Sequence, residues 1–137
     1  MSTLPQMHHV VYAVAPERVD TVTAFFSELG FSFATFKLED LGLQVRLDWA
    51  GGVELVTPLA TEAGHTSAVA EFLARHGDGA YSVALRVADI TTAEEVAARY
   101  GAVTRFRQHR EGDGFELDES DVSVLGLPLT FLATDLP

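Results

Sequence analysis

The stretch His9-Val10-Val11-Tyr12-Ala13-Val14, opened by Met7-His8, reads as a strand, and Ser82-Val83-Ala84-Leu85-Arg86-Val87 echoes it later in the chain. Successive side chains of a strand point to opposite faces, so His8 and His9 cannot serve one site. His9 shares its place with Ser82 and its face with Val11 and Ala13, while Val10, Tyr12 and Val14 are expected to meet helices. His8 is expected to be structural. Two further echoes extend the repeat: Leu29-Gly30-Phe31 against Tyr100-Gly101-Ala102, and Val53-Glu54-Leu55-Val56-Thr57 against Thr130-Phe131-Leu132-Ala133-Thr134. The second of these sets Glu54 opposite Phe131.

Working outward, Pro16 and Gly30 bracket a helix in which Val19, Val22, Phe26 and Leu29 recur at helical spacing. Residues 31–38 read as a second strand, 42–49 as an alternating third, and 53–57 as a fourth entered through Gly51-Gly52 and ended by Pro58. A loop over 59–64 leads to a helix from about Thr66 to His76. Residues 81–87 are again a strand, and Thr91-x-x-Glu94 and Thr92-x-x-Glu95 are two possible capping boxes for the helix ending before Gly101. Strands follow over 102–107, 120–125 and 129–134, with the polar stretch 108–119 read as a loop or ragged hairpin able to close over a cleft. The expected fold is α+β, one domain over 1–137. It consists of two βαβββ modules (7–58 and 80–135, joined by a linker helix over 65–77) set side by side as a curved mixed sheet, with helices outside and an open cleft.

Composition narrows the function. Nine Lys plus Arg against twenty Asp plus Glu give a formal charge of −11, which repels a phosphate backbone, so nucleic acid is excluded as a partner. The same charge suits either a cationic ligand or simple solubility. Cysteine is absent, which removes disulfides and thiolate chemistry. No apolar run approaches the roughly 20 residues that span a bilayer, and no signal peptide is evident, so the expectation is a cytoplasmic protein with no membrane partner.

Taken together, these segments resemble the vicinal oxygen chelate superfamily, the glyoxalase, bleomycin-resistance and extradiol dioxygenase group, and within it the methylmalonyl-CoA epimerases. The resemblance rests on His9–Val14, Val53–Pro58, Ala68–Gly77 and Ala84–Ile90, in order and covering nearly the whole chain. It implies a divalent metal (Zn, Co, Mn, Ni or Fe) held by one ligand from the first and one from the fourth strand of each module. In this sequence the first module supplies His9 and Glu54, both acceptable ligands, whereas the second offers Ser82 and Phe131. The epimerases' proposed third-strand acid is also missing, since Gln44, Val45 and Arg46 occupy that region.

The expected cleft is therefore lined by His9, Glu54, Ser82, Phe131, Val11 and Ala84, with Arg46 or Arg86 available to hold an anionic group. Trp49 and Tyr81 are either pocket or core, and His65, His76 and His109 are too scattered to form a cluster. Three readings follow. The chain is a metal-independent small-molecule-binding protein without a cofactor; or it is an isomerase, epimerase or lyase on a small acyl-CoA or keto compound, with His9 or Glu54 moving the proton; or it is a silent interaction module. The resemblance adds a homodimer in each case.

Overall fold

The computed structural model describes residues 4–137. They fall into two compact units, His9–Tyr81 and Ser82–Pro137, the latter joined by the described residues up to His8. The order βαβββ occurs twice, and the fold is α+β. The first set is β1 (Gln6–Ala13), α1 (Val19–Glu28), β2 (Ala34–Leu38), β3 (Leu43–Asp48) and β4 (Val53–Pro58), followed by α2 (Glu62–His65) and α3 (Ala68–His76). The second is β5 (Gly79–Arg86), α4 (Ile90–Ala98), β6 (Val103–Gly112), β7 (Phe115–Val124) and β8 (Leu127–Thr134). Strand order is β2-β3-β4-β1 in the first and β5-β8-β7-β6 in the second. In each, the first and fourth strands run parallel and the remaining neighbours antiparallel.

The alternation of β1 sorts two apolar layers. Tyr12 and Val14 pack with Val53 and Leu55 against Val22 and Phe26 of α1. Phe31 and Phe33 join that layer edge-on to Phe26, and the second strand, expected from Phe31, begins at Ala34. Val11 and Ala13 face the other way and meet Val45, Val56 and, from α3, Val69 and Phe72. Helix α3 thus covers part of the face on which His9 stands. In the second unit, Ala97 of α4 packs on Val122 and Phe131 with Leu85 and Leu129.

Polar contacts fix the ends of the elements. Arg18 grips Asp78 through Nε at 2.6 Å and Nη2 at 2.8 Å, and Asp78 also accepts the Ala15 amide, so the entry to α1 is tied to the segment after α3. The Arg18 contact holds the Asp78 carboxyl below its ordinary range. Helix α4 is capped by Asp89, which accepts from the amide and hydroxyl of Thr92, in place of either expected capping box. The Glu94 of that motif accepts instead from Arg107 and Ser120, both at 2.6 Å.

Two regions depart from the sequence expectation. The 59–64 loop contains the start of α2, capped by Thr61 Oγ1 accepting from the Gly64 amide, and its Leu59 amide donates to the Gly42 carbonyl at 2.8 Å. Gly42 holds φ +69°, and Gly64 lies against Leu59 with no room for a side chain. The polar stretch 108–119 is a regular hairpin turning at Asp113-Gly114, with Gln108 opposite Glu119, His109 opposite Asp118 and Gly112 opposite Phe115.

Candidate functional site

The parallel ladders place the paired positions of the two modules. In the first, Val11 is in register with Glu54, and His9 lies two residues earlier on the same face. His9 is 2% exposed, with its Nε2 3.3 Å from Glu54 Oε1 and its ring centroid 6.5 Å from that of Trp49. In the second, Ala84 is in register with Thr130, so the counterpart of Glu54 is Thr130. The side chains agree, since Ser82 Oγ and Thr130 Oγ1 are 2.8 Å apart, both buried.

This corrects the expectation for Phe131. It pairs with Leu85 and faces α4, buried among Ala97 and Val122, on the side of the strand opposite Ser82. A one-residue slip in aligning the fourth strands moves every side chain to the other face. The signal lay in the turn Leu125-Gly126, whose residues both take positive φ and whose pairing runs outward as Val124 with Leu127, Val122 with Leu129 and Asp121 with Thr130. Followed from that turn, the sequence leads to Thr130 and to Asp121, neither of which the residue pattern alone had singled out.

Hydrogen-bond direction fixes what the second pair presents. Thr130 Oγ1 donates to Asp121 Oδ1 at 2.7 Å, so Ser82 must be the donor toward Thr130. The result is a short hydroxyl relay ending on a carboxylate. Divalent zinc is held by three or four deprotonated or neutral-imidazole donors, and two neutral hydroxyls bonded in series are poor substitutes. His9 and Glu54 fit half of such a set; Ser82 and Thr130 do not fit the other half. Among the described residues, one group of ligating side chains does converge elsewhere: His109, Glu111 and Glu116 on the exposed hairpin, with ligand atoms within 4.8 Å of one another.

The remaining expected residues are placed as follows. Val11 and Ala84 are buried, the former against the α3 layer. Tyr81 is in that same layer, edge-on to Phe72. Arg46 is corrected: it is paired in register with Leu55, faces α1, and donates to Thr23 Oγ1 at 2.6 Å and Asp20 Oδ1 at 3.0 Å, on the side opposite His9. Arg86 does share the face of Ser82 and Ala84, and its Nη2 donates to the carbonyls of Thr134 at 3.0 Å and Leu136 at 2.5 Å.

His109 carries a testable electrostatic signature. Its Nδ1 lies 2.8 Å from Asp118 and its Nε2 3.4 Å from Glu111, and these two acids, Asp118 first, raise its pKa above the ordinary value. A raised imidazole pKa contributes stability that is complete below the unfolded value of about 6.5 and is lost as pH rises through the folded value. Histidine NMR is expected to give a His109 midpoint above about 6.5 that returns toward it in Asp118→Asn. An unchanged midpoint in that variant would show that the pair does not form in solution.

No protein-family model matches the sequence, and no curated protein matches it significantly. Solved structures do match. A hypothetical protein, BH1468, from Bacillus halodurans C-125 superposes with TM-score 0.73 at 17% identity, covering 98% of each chain. The methylmalonyl-CoA epimerase of Mycobacterium tuberculosis gives 0.67 at 20% identity over 97% of this chain and 92% of its own. A variant of the Streptomyces coelicolor methylmalonyl-CoA epimerase, in complex with 2-nitronate-propionyl-CoA, gives 0.68 at 19% identity over 98% and 100%. Twofold βαβββ order, parallel first and fourth strands and these superpositions agree: the chain has the vicinal oxygen chelate fold seen in the methylmalonyl-CoA epimerases.

Proposed function

We propose that the protein binds a small organic molecule without a metal. The observation that supports this reading is the Ser82–Thr130–Asp121 relay, which stands where the superfamily resemblance implies a chelating pair. Neutral hydroxyls suit hydrogen bonding to a ligand and do not suit chelation. The reading extends to a cytoplasmic homodimer without nucleic-acid or membrane partners. The charge of −11 supports the first exclusion, and no helix among the described residues is long and apolar enough to cross a membrane.

Calorimetric titration with cationic antibiotics and with acyl-CoA thioesters tests it. At least one class is expected to bind with the same affinity in EDTA and in added cobalt or zinc. Binding that appears only with metal would refute the metal-free reading.

A second reading is favoured by the pairing of buried His9 with partly exposed Glu54: an isomerase, epimerase or lyase acting on a small acyl-CoA or keto compound, in which one of the two moves a proton. A positioned general base contributes about 10²- to 10⁴-fold. Methylmalonyl-CoA in heavy water is then expected to exchange its α-proton, with a loss of about 10²-fold or more in His9→Ala. Absence of exchange with and without cobalt leaves the binding reading alone.

A further inference from the structure

The geometry points to Arg86 as an anion anchor, and hence to a ligand carrying an oxyanion, a carboxylate or a phosphate. The inference deepens the small-molecule-binding reading and rests on it.

The argument starts from charge accounting. Arg18 is paired with Asp78, Arg46 with Asp20, Arg75 with Glu71 and Arg107 with Glu94. Arg86 is half-buried, and its partners among the described residues are the backbone carbonyls of Thr134 and Leu136. Carbonyls orient a guanidinium without cancelling its charge. In a chain with more than twice as many acids as Lys and Arg, a partly desolvated cation left without a carboxylate is conspicuous, because burial of an uncompensated charge is costly. Both hydrogens of Nη2 are directed at the two carbonyls, so the group is held in place while its other N–H donors lack acceptors among the described residues. Such a fixed cation is pre-organised for an oxyanion.

Among the described residues no carboxylate pairs with Arg86, and Asp135, between the two carbonyls, accepts the Glu116 amide instead. Thr130 donates to Asp121, and Glu119 accepts from Gln108 Nε2 at 2.9 Å. Glu119 faces Leu132, which in turn is in register with Arg86, so it lies two strands away, roughly 10 Å by ordinary strand spacing. Ser82 lies four residues along β5, roughly 13 Å away, and therefore meets a different part of any ligand. The net negative charge acts at long range and is screened beyond about 8 Å in physiological salt, so it does not forbid an anion in direct contact with Arg86.

The test reads the guanidinium itself. Arginine Nε–Hε NMR of the full chain is followed during titration with malonate, with inorganic phosphate and with neutral malonamide. The Arg86 resonance is expected to shift saturably with malonate or phosphate at concentrations at least tenfold below those that move the exposed Arg99 and Arg105. It is expected to stay fixed with malonamide. A response to malonate alone identifies a carboxylate ligand, and a response to phosphate alone identifies a phosphate. Calorimetric titration with the preferred anion reads the variants: R86K keeps the charge and is expected to weaken binding about tenfold, whereas R86Q is expected to abolish it. No saturable shift in the unaltered protein, or an equal shift with malonamide, overturns the proposal. If the anions fail while a thioester or antibiotic still binds by calorimetry, the small-molecule reading stands and the oxyanion class falls.

Discussion

Leu132→Ala is expected to lower stability by about 3 kcal/mol and the melting temperature by about 10 °C. Leu132 is completely buried in β8, between Arg86 on β5 and Glu119 on β7 in the ladder. Deleting its branched end removes the transfer free energy of those methyl groups. It also leaves a cavity that a strand held on both sides cannot close. The same strand carries Thr130, so the loss is expected to loosen the hydroxyl relay as well as the core. Leu127→Ala, at a residue 56% exposed on the same strand, should stay within about 0.5 kcal/mol. Denaturant unfolding of the pair decides it, and a Leu132→Ala effect below about 1 kcal/mol would mean that the strand is not packed as described.

Gly42→Ala is expected to cost about 3 to 4 kcal/mol, for two separable reasons. Gly42 sits at φ +69°, which a residue with a β-carbon adopts at a penalty of about 1 to 2 kcal/mol. A β-carbon there would also overlap the backbone of Ala63 and Gly64, and backbone cannot swing aside as a side-chain tip can. Forced overpacking adds about 1 to 3 kcal/mol. Gly101→Ala serves as the comparison for the first contribution, because Gly101 has φ +79° with nothing within 4 Å of the added carbon. Gly42→Ala should therefore exceed Gly101→Ala by about 2 kcal/mol in chemical denaturation. Equal costs would show that the approach of α2 to this turn is looser than the structure has it.

The sequence was most legible where one face is apolar and the other is not. The β1 alternation separated the two faces, with Tyr12 and Val14 meeting α1 as expected, whereas Val11 and Ala13, on the face expected to line a cleft, pack against α3; the repeat of β1 in β5 carried the twofold order. The hairpin of β6 and β7 was harder. Over 108–114 neither face carries an apolar side chain, so alternation is silent until Phe115 and Leu117, and cross-strand pairs such as His109 with Asp118 are the visible organisation. Asp113-Gly114 was the available clue. The α4 cap shows a different failure: Asp89, Thr91 and Thr92 all suit an N-cap, and only the fold decides that Glu94 is needed by Arg107 and Ser120 instead.

The candidate site was half legible for a related reason. His9 and Glu54 are identifiable by residue type, and the structure brings their side chains together. Thr130 and Asp121 are ordinary strand residues whose significance comes from register, which local similarity of two short segments does not determine. Matching Thr130–Thr134 to Val53–Thr57 maximised resemblance and missed by one residue. Arg46 was misplaced because alternation along β3 separates two faces without saying which one looks toward α1; the contact with Thr23 and Asp20 does.

The register of β8 also sets how many substitutions separate this chain from a variant with a second imidazole–carboxylate pair. Because Thr130 rather than Phe131 is the counterpart of Glu54, a second imidazole–carboxylate pair is two substitutions away, Ser82→His with Thr130→Glu, both at positions whose side chains already touch. Phe131 need not change at all, and its apolar contacts with α4 give selection a reason to keep it. Asp121 would stand in the way, since it would lose the hydroxyl it accepts from and face a new carboxylate. A chelating variant of this chain would therefore have to change Asp121 on the neighbouring strand together with Ser82 and Thr130.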